Sequence, residues 1–247
     1  MISSKQLYRF SSILQRALTP GLRYSQSQYE DVLGDRVGQA SRWLDLGCGH
    51  AILPSWRADA ERALVARCGE AFGLDYDHDA LRNSRTLTRL CRGDISTLPF
   101  RNESFDLVTA NMVVEHLATP DQQFREISRV LKRGGFFIFH TPNELGHPVM
   151  LSRLMPNEVK RRAARLLEGR AEEDVYPTYY RANRSEKIRR LSRGAGFDPI
   201  EIRLITTSPL FNLVPPLLLV ELIWIRILMT RYFAPLRSNI ICVLCKL

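Results

Sequence analysis

No stretch of about 18 uninterrupted apolar residues occurs in this chain, which excludes an ordinary membrane-spanning helix. Cysteine is scarce as well. The five cysteines form an odd set without the spacing of a disulfide framework, and this points to a reducing compartment. The 14 glycines and 13 prolines follow no period, so a collagenous or coiled-coil architecture is excluded. No internal repeat of solenoid length is present. What remains is ordinary globular material: 247 residues, 45% hydrophobic and 25% charged, enough for one α/β domain with a sizeable core.

Acidic residues are missing from one place in particular. The first 29 residues contain none, against four bases (Lys5, Arg9, Arg16 and Arg23). That composition matches an organellar transit peptide, and equally an amphipathic lead-in helix. Leu7, Phe10, Ile13, Leu14, Ala17 and Leu18 recur at helical spacing, and Thr19-Pro20-Gly21 ends the run. The net charge of +9 is also one-sided: residues 1–149 carry 18 bases against 17 acids, residues 150–247 carry 17 against 9. A basic half suits an anionic partner such as nucleic acid, acidic headgroups or a phosphorylated substrate; it also describes a solvated arginine-rich surface.

From Arg42 onward, short apolar runs alternate with helical periodicity. Strands are expected at 43–46, 71–74, 105–110, 136–140, 199–206 and 239–246, with a further one ahead of Asp94. Helices are expected at 53–68, 80–90, 122–131 and 185–193. Such repeated strand–helix units build a parallel sheet covered on both faces, and the last two strands, joined across an apolar insertion, pair antiparallel. The expected organisation is a helical lead-in over 1–39 and one domain over 40–247, with insertions at 145–183 on the acceptor side and at 209–237.

The strongest chemical signal is Leu44-Asp45-Leu46-Gly47-Cys48-Gly49, a strand running into a glycine turn. Glycines let the backbone approach a ligand, but a lone glycine turn is weak evidence. Here an acid precedes the turn, which suits a cationic head better than a pyrophosphate. Asp75 ends the next strand, 26 residues after Gly49, where a carboxylate bonds ribose hydroxyls in dinucleotide folds. Asp94, in Gly93-Asp94-Ile95, is followed by Leu98-Pro99-Phe100, an arrangement able to grip an amino-purine. Three acids at three strand ends line the edge where this architecture binds ligands.

These residues carry a resemblance. LDLGCG (Leu44–Gly49), GLDYD (Gly73–Asp77), GDISTLPFRNESFDLVTANMVVEHL (Gly93–Leu117) and VLKRGGFFIFHTPN (Val130–Asn143) are similar to class I S-adenosylmethionine-dependent methyltransferases, especially the type 11 branch with the ubiquinone and menaquinone biosynthesis enzymes. The resemblance covers about residues 40–145, and Arg184–Phe197 more loosely. It implies a Rossmann-like α/β fold: seven strands, mostly parallel, helices on both faces, the last strand antiparallel. It also implies S-adenosyl-L-methionine as cofactor. Asp45, Gly47 and Gly49 would hold its methionine part, Asp75 its ribose, Asp94 and Ile95 its adenine, and Asn111 would touch the methionine side. One departure stands out: the family usually has a third glycine near the turn, where this chain has His50-Ala51.

Methyl transfer from an activated donor asks mainly for alignment and exclusion of water. A hydroxyl or amine acceptor also needs a base. His116 and His140, after the fourth and fifth strands, are the candidate catalytic residues, each with a structural role as the alternative. Tyr176, Tyr179 and Tyr180 with Arg181 and Arg184 read as an acceptor wall or as loop packing. Cys242 and Cys245 lie in an apolar strand with no second Cys/His pair to complete a zinc site, so no metal is expected. Leu217–Met229 is apolar on all sides: a buried helix, a homodimer contact, or a dock on an anionic membrane surface. The expected function is methyl transfer to a small or lipid-linked acceptor, quinone-like or glycan-type. The alternatives are an RNA or tRNA methyltransferase, which lacks support from any recognisable RNA-binding module, and a non-catalytic cofactor-binding scaffold. The expected location is cytoplasmic, peripheral on the inner face of a membrane, or mitochondrial if the lead-in is a transit peptide.

Overall fold

A computed structural model describes residues 4–38, 42–155, 177–212 and 214–247. Seven strands form one sheet: β1 (Arg42–Leu46), β2 (Glu70–Asp75), β3 (Arg89–Arg92), β4 (Phe105–Asn111), β5 (Leu131–Pro142), β6 (Phe197–Ile205) and β7 (Asn239–Lys246). Their order is β3-β2-β1-β4-β5-β7-β6. The first five run parallel, and antiparallel pairing enters through β7, which lies between β5 and β6. The central strands are continuous apolar runs because both faces are covered; Trp43, Leu44, Leu46, Leu107, Val108, Phe137, Ile138 and Phe139 are all buried.

The helices are α1 (Ser4–Leu18), α2 (Ser25–Val37), α3 (Ala58–Ala66), α4 (His78–Arg82), α5 (Pro120–Val130), α6 (His147–Leu154), α7 (Ser185–Gly194) and α8 (Pro215–Leu228). Three differ from the periodicity for local reasons. Residues 50–54 are not helical: Glu61 accepts the Leu53 N–H at 2.9 Å, and Pro54 opens only a short 3-10 turn before α3. The expected helix 80–90 stops at Arg82, where Asn83 bonds back to the Asp79 carbonyl and the Ser84 N–H donates to Leu81. Helix α5 begins two residues early because Pro120 has its φ set for a first turn. Gly134-Gly135 does not end an element. Strand β5 already starts at Leu131, and the glycines sit in a bulge opposite Phe105–Leu107, with Gly134 at φ +75°.

The chain divides into two compact units built from interleaved segments. One comprises Tyr29–Thr141, Thr178–Arg203 and Ile240–Leu247 and holds the sheet core. Within it Phe124 packs edge-on to Phe137 and Phe139, and Phe137 meets Phe197. The other comprises Met1–Gln28, Pro142–Pro177 and Leu204–Asn239. In it α1 packs against α8, and Ser11 donates to Asn212 at 2.6 Å. Helix α8 turns Leu218, Glu221, Leu222, Ile225 and Leu228 inward. Its one acid is fully employed: the Glu221 carboxylate accepts the N–H groups of Leu210 and Phe211 at 2.9–3.0 Å and meets His147 at 3.2 Å. Among the described residues, no helix is long and apolar enough to cross a membrane.

Candidate functional site

The candidates Asp45, Gly47, Gly49, Asp75, Asp94, Ile95, Asn111, His116 and His140 fall at or just beyond the carboxyl ends of the parallel strands, within the sheet-bearing unit. Parallel register produces this: each strand ends on the same side, so the residue closing each one joins the same rim. Strand β1 delivers Asp45, β2 Asp75, and the turn after β3 Asp94 and Ile95. Strands β4 and β5 deliver Asn111 and His140.

The glycine turn has its own logic. Gly47 takes φ +62° and Gly49 φ +51°, the left-handed region where a side chain is strained. A Cβ on Gly47 would sit 2.5 Å from Val113 Cγ2, whereas one on Gly49 would meet nothing within 4 Å. The N–H groups of Gly47 and Cys48 donate to the Leu74 carbonyl at 2.8 and 3.2 Å, which ties the turn to β2. Asp75 completes the tie. Its two oxygens accept the N–H of Gly49 at 2.7 Å and of Asp77 at 2.9 Å. A carboxylate offers about four acceptor positions, so capacity for two hydroxyls remains.

Asp45 is 2% exposed and accepts a hydrogen bond from the Thr109 hydroxyl, which in turn accepts the Trp43 indole N–H at 2.7 Å. Burial, against the pull of the Thr109 bond and with the help of the charges of Glu61 and Asp75, pushes its pKa up to about 8. An acid in that setting holds its proton near pH 7, and a cation seated beside it would favour its ionised form. Asp94 is exposed and holds its turn by accepting the Ser96 N–H at 2.7 Å. The donor set therefore fits the sulfonium cofactor: a buried acid, open space above Gly49, a turn-anchored Asp75, and Asp94 beside Ile95.

Asn111 and His140 form a pair. The Asn111 amide oxygen lies 3.0 Å from His140 Nδ1, and its amide nitrogen donates to the Ile52 carbonyl at 3.3 Å. His140 is 2% exposed, its ring stacks on the buried Tyr29, and burial lowers its pKa to about 4. It is neutral near pH 7. His116 closes the short 3-10 turn Val114–His116 and is half-buried.

Three polar residues of this rim escape sequence reasoning. Glu61, 1% exposed, accepts the Leu53 N–H and a hydrogen bond from Thr86. Thr109 joins Trp43 to Asp45. Glu115 accepts from the Thr141 hydroxyl at 2.9 Å, which itself accepts from Asn183 at 2.7 Å, while the Glu115 carbonyl receives the N–H groups of Tyr179 and Tyr180. The only available signal was Glu115 beside His116. The candidate Tyr176 lies outside the described residues. Beside the rim, a cleft of about 630 Å³ between the start of α5 and α7 is lined by Arg125, Arg181, Lys187 and Arg190, with Asp121 the one acid among its lining residues.

Residues 44–139 match the family described as "Methyltransferase domain". A demethylmenaquinone methyltransferase of Staphylococcus saprophyticus is 28% identical over 184 residues, 69% of this chain and 76% of that protein. A probable S-adenosylmethionine-dependent methyltransferase of Mycolicibacterium smegmatis is 32% identical over 105 residues, 41% of this chain and 38% of that protein. Several curated relatives are matched over only 37–44% of their length. A solved S-adenosylmethionine-dependent methyltransferase from Mesorhizobium loti superposes with a TM-score of 0.56 at 16% identity, covering 90% of this chain and 98% of that one, a likeness of fold.

Proposed function

Residues 44–139 belong to a class I S-adenosylmethionine-dependent methyltransferase domain, and from that premise we propose that the chain transfers a methyl group to a small-molecule or lipid-linked acceptor. The observation that carries the reading is the rim itself: a buried Asp45 beneath a left-handed glycine turn, with Asp75 tied to that turn.

Asp45, Gly47 and Gly49 would hold the methionine part of the cofactor. Asp75 would take the ribose hydroxyls, and Asp94 with Ile95 would take the adenine. When bound, the sulfonium supplies an already activated methyl group. The chain therefore orients the acceptor and keeps water out. His140, neutral and bonded to Asn111, fixes the Asn111 amide on the methionine side. His116, half-buried in the turn after β4, takes the proton if the acceptor is a hydroxyl or amine. Glu115 positions that turn through its bonds to Thr141 and the 179–180 backbone.

A lipid-linked acceptor, quinone-like or glycan-bearing, is supported by the apolar exposure of α8 and by the demethylmenaquinone methyltransferase name of one relative. An RNA acceptor is the second reading, favoured by the cationic cleft of Arg125, Arg181, Lys187 and Arg190.

Calorimetry with S-adenosylhomocysteine on the full chain tests the cofactor, and transfer of label from methyl-labelled S-adenosylmethionine tests turnover. The expected result is micromolar-range binding and label entering a lipid or small-molecule extract. Label entering total tRNA instead selects the second reading. Tighter binding of NADH than of S-adenosylhomocysteine overturns the cofactor assignment, and binding without transfer to any extract leaves a cofactor-binding scaffold.

A further inference from the structure

Helix α8 has an apolar surface it does not bury. With Leu218, Leu222 and Ile225 inward, a rotation of about 100° per residue places Leu219, Val220, Ile223 and Ile227 on the opposite arc. These four are exposed, Val220 at 66% and Ile223 at 51%. Tyr232 and Phe233 continue the exposure beyond the helix, and Trp224 lies edge-on to Phe233. Helix α1, packed against α8 in the same unit, repeats the arrangement. Leu7, Ser11, Leu14 and Leu18 share one arc, and Arg9, Phe10, Ile13 and Arg16 share the other and are exposed. Scattered exposed leucines are normal on a soluble protein, whereas a whole helix face of them marks an interaction surface.

The charges on this surface identify what covers it. Residues 1–29 contain no acid, and Glu221, the one acid of residues 209–237, is buried and bonded inside the unit. Among the described residues of α1, α8 and the stretches flanking them, the exposed charges are therefore Arg9, Arg16, Arg23, Arg226 and Arg231, all cationic. A second copy of the chain would bring like charges together, while an anionic lipid surface offers both an apolar layer and opposite charge. Fourteen residues of helix span about 21 Å, short of the roughly 30 Å hydrocarbon core, so α8 lies in the interface instead of crossing it.

We infer that the exposed faces of α8 and α1 dock this protein on the surface of an anionic membrane, with Leu219, Val220, Ile223 and Ile227 entering the acyl boundary and the arginines meeting the headgroups. The inference is independent of the methyl acceptor.

The test is co-sedimentation of the full chain with phosphatidylcholine vesicles, with and without phosphatidylglycerol, at low and high salt. The expected result is binding that is strongest to phosphatidylglycerol vesicles, weakens with salt as the charge attraction is screened, and persists measurably on neutral vesicles. The double variant V220S/I223S, both sites exposed, should lose at least about tenfold in vesicle partition while keeping its melting temperature and S-adenosylhomocysteine affinity. R226Q/R231Q should lose the preference for phosphatidylglycerol and keep the neutral-vesicle binding. Wild-type protein that stays in the supernatant with every vesicle composition overturns the inference. So does V220S/I223S binding like wild type, or a wild-type dimer that V220S/I223S converts to monomer with no vesicle binding by either.

Discussion

Gly47 and Gly49 stand two residues apart in one turn, yet a methyl group added to each meets different surroundings. Gly47→Ala combines a left-handed backbone, about 1–2 kcal/mol of strain, with a clash against Val113 that the packed core cannot relieve. Gly49→Ala carries the strain alone. Thermal unfolding should therefore show the larger loss for Gly47→Ala. In Gly49→Ala the fold should persist while S-adenosylhomocysteine affinity falls, since the new methyl occupies the open space above the turn. Asp75→Ala removes an acceptor for two backbone N–H groups and for the ribose hydroxyls. Calorimetry should register a weakening of about 10–100-fold, the equivalent of roughly 1.5–3 kcal/mol for bonds to a charged group. Unchanged affinity would remove Asp75 from the site. The placement of the three acids along the strand-end rim was legible in the sequence, because Asp45 and Asp75 fall in the last two residues of β1 and β2 and Asp94 in the turn after β3. Glu61, Thr109 and Glu115 were not, because their partners Thr86, Asp45 and Thr141 lie 25, 64 and 26 residues away.

At the scale of elements, the sheet was the readable part. Strands β1, β2, β4 and β7 carry apolar runs bounded by turn residues, and the burial of β1, β4 and β7 on both faces leaves little freedom of interpretation. Elements set by a side chain reaching back to the backbone were less readable. The loop before α3 is held by Glu61, and α4 is cut short by the Asn83 bond to Asp79. Helix α8 was legible as a helix but not as a surface. A helix whose only two charges, Glu221 and Arg226, lie on different arcs has no polar stripe, so periodicity cannot say which arc faces the core, and Leu228 is buried while Ile227 beside it is exposed. That distinction is measurable. Leu222→Ala, in the buried arc, should cost about 2–5 kcal/mol through lost burial and a cavity. Ile223→Ala, one residue on, should stay within about 0.5 kcal/mol. Equal destabilisation of the two in urea unfolding would mean that the outward face is packed.

Across the whole molecule, the division into two units was not legible, because each unit gathers three segments far apart in the chain. The balance of two buried titratable groups was equally hidden, and it shapes stability over the physiological pH range. Asp45 keeps a pKa of about 8 in the folded protein against an ordinary 3.8. The native state therefore holds a proton that the unfolded chain has released, and stability falls as pH rises through that window. His140 has the opposite sign. Its folded pKa of about 4 lies below the ordinary 6.5, so the unfolded chain binds the extra proton and stability rises with pH between those values. The two slopes offset each other from about pH 4 to 6.5, leaving Asp45 alone above it. At about 1.4 kcal/mol per unit, the ligand-free protein should lose roughly 2 kcal/mol between pH 6.5 and 8 on this account. Asp45→Asn should abolish that decline and uncover the His140 rise at lower pH. A cationic ligand head opposite Asp45 favours its ionised form, so S-adenosylhomocysteine should bind with release of a proton near pH 7 and gain affinity as pH approaches 8. Calorimetry in two buffers of different ionisation enthalpy measures that proton directly. Binding with no proton released by the wild type, or the same release by Asp45→Asn, would separate Asp45 from the ligand's ammonium group.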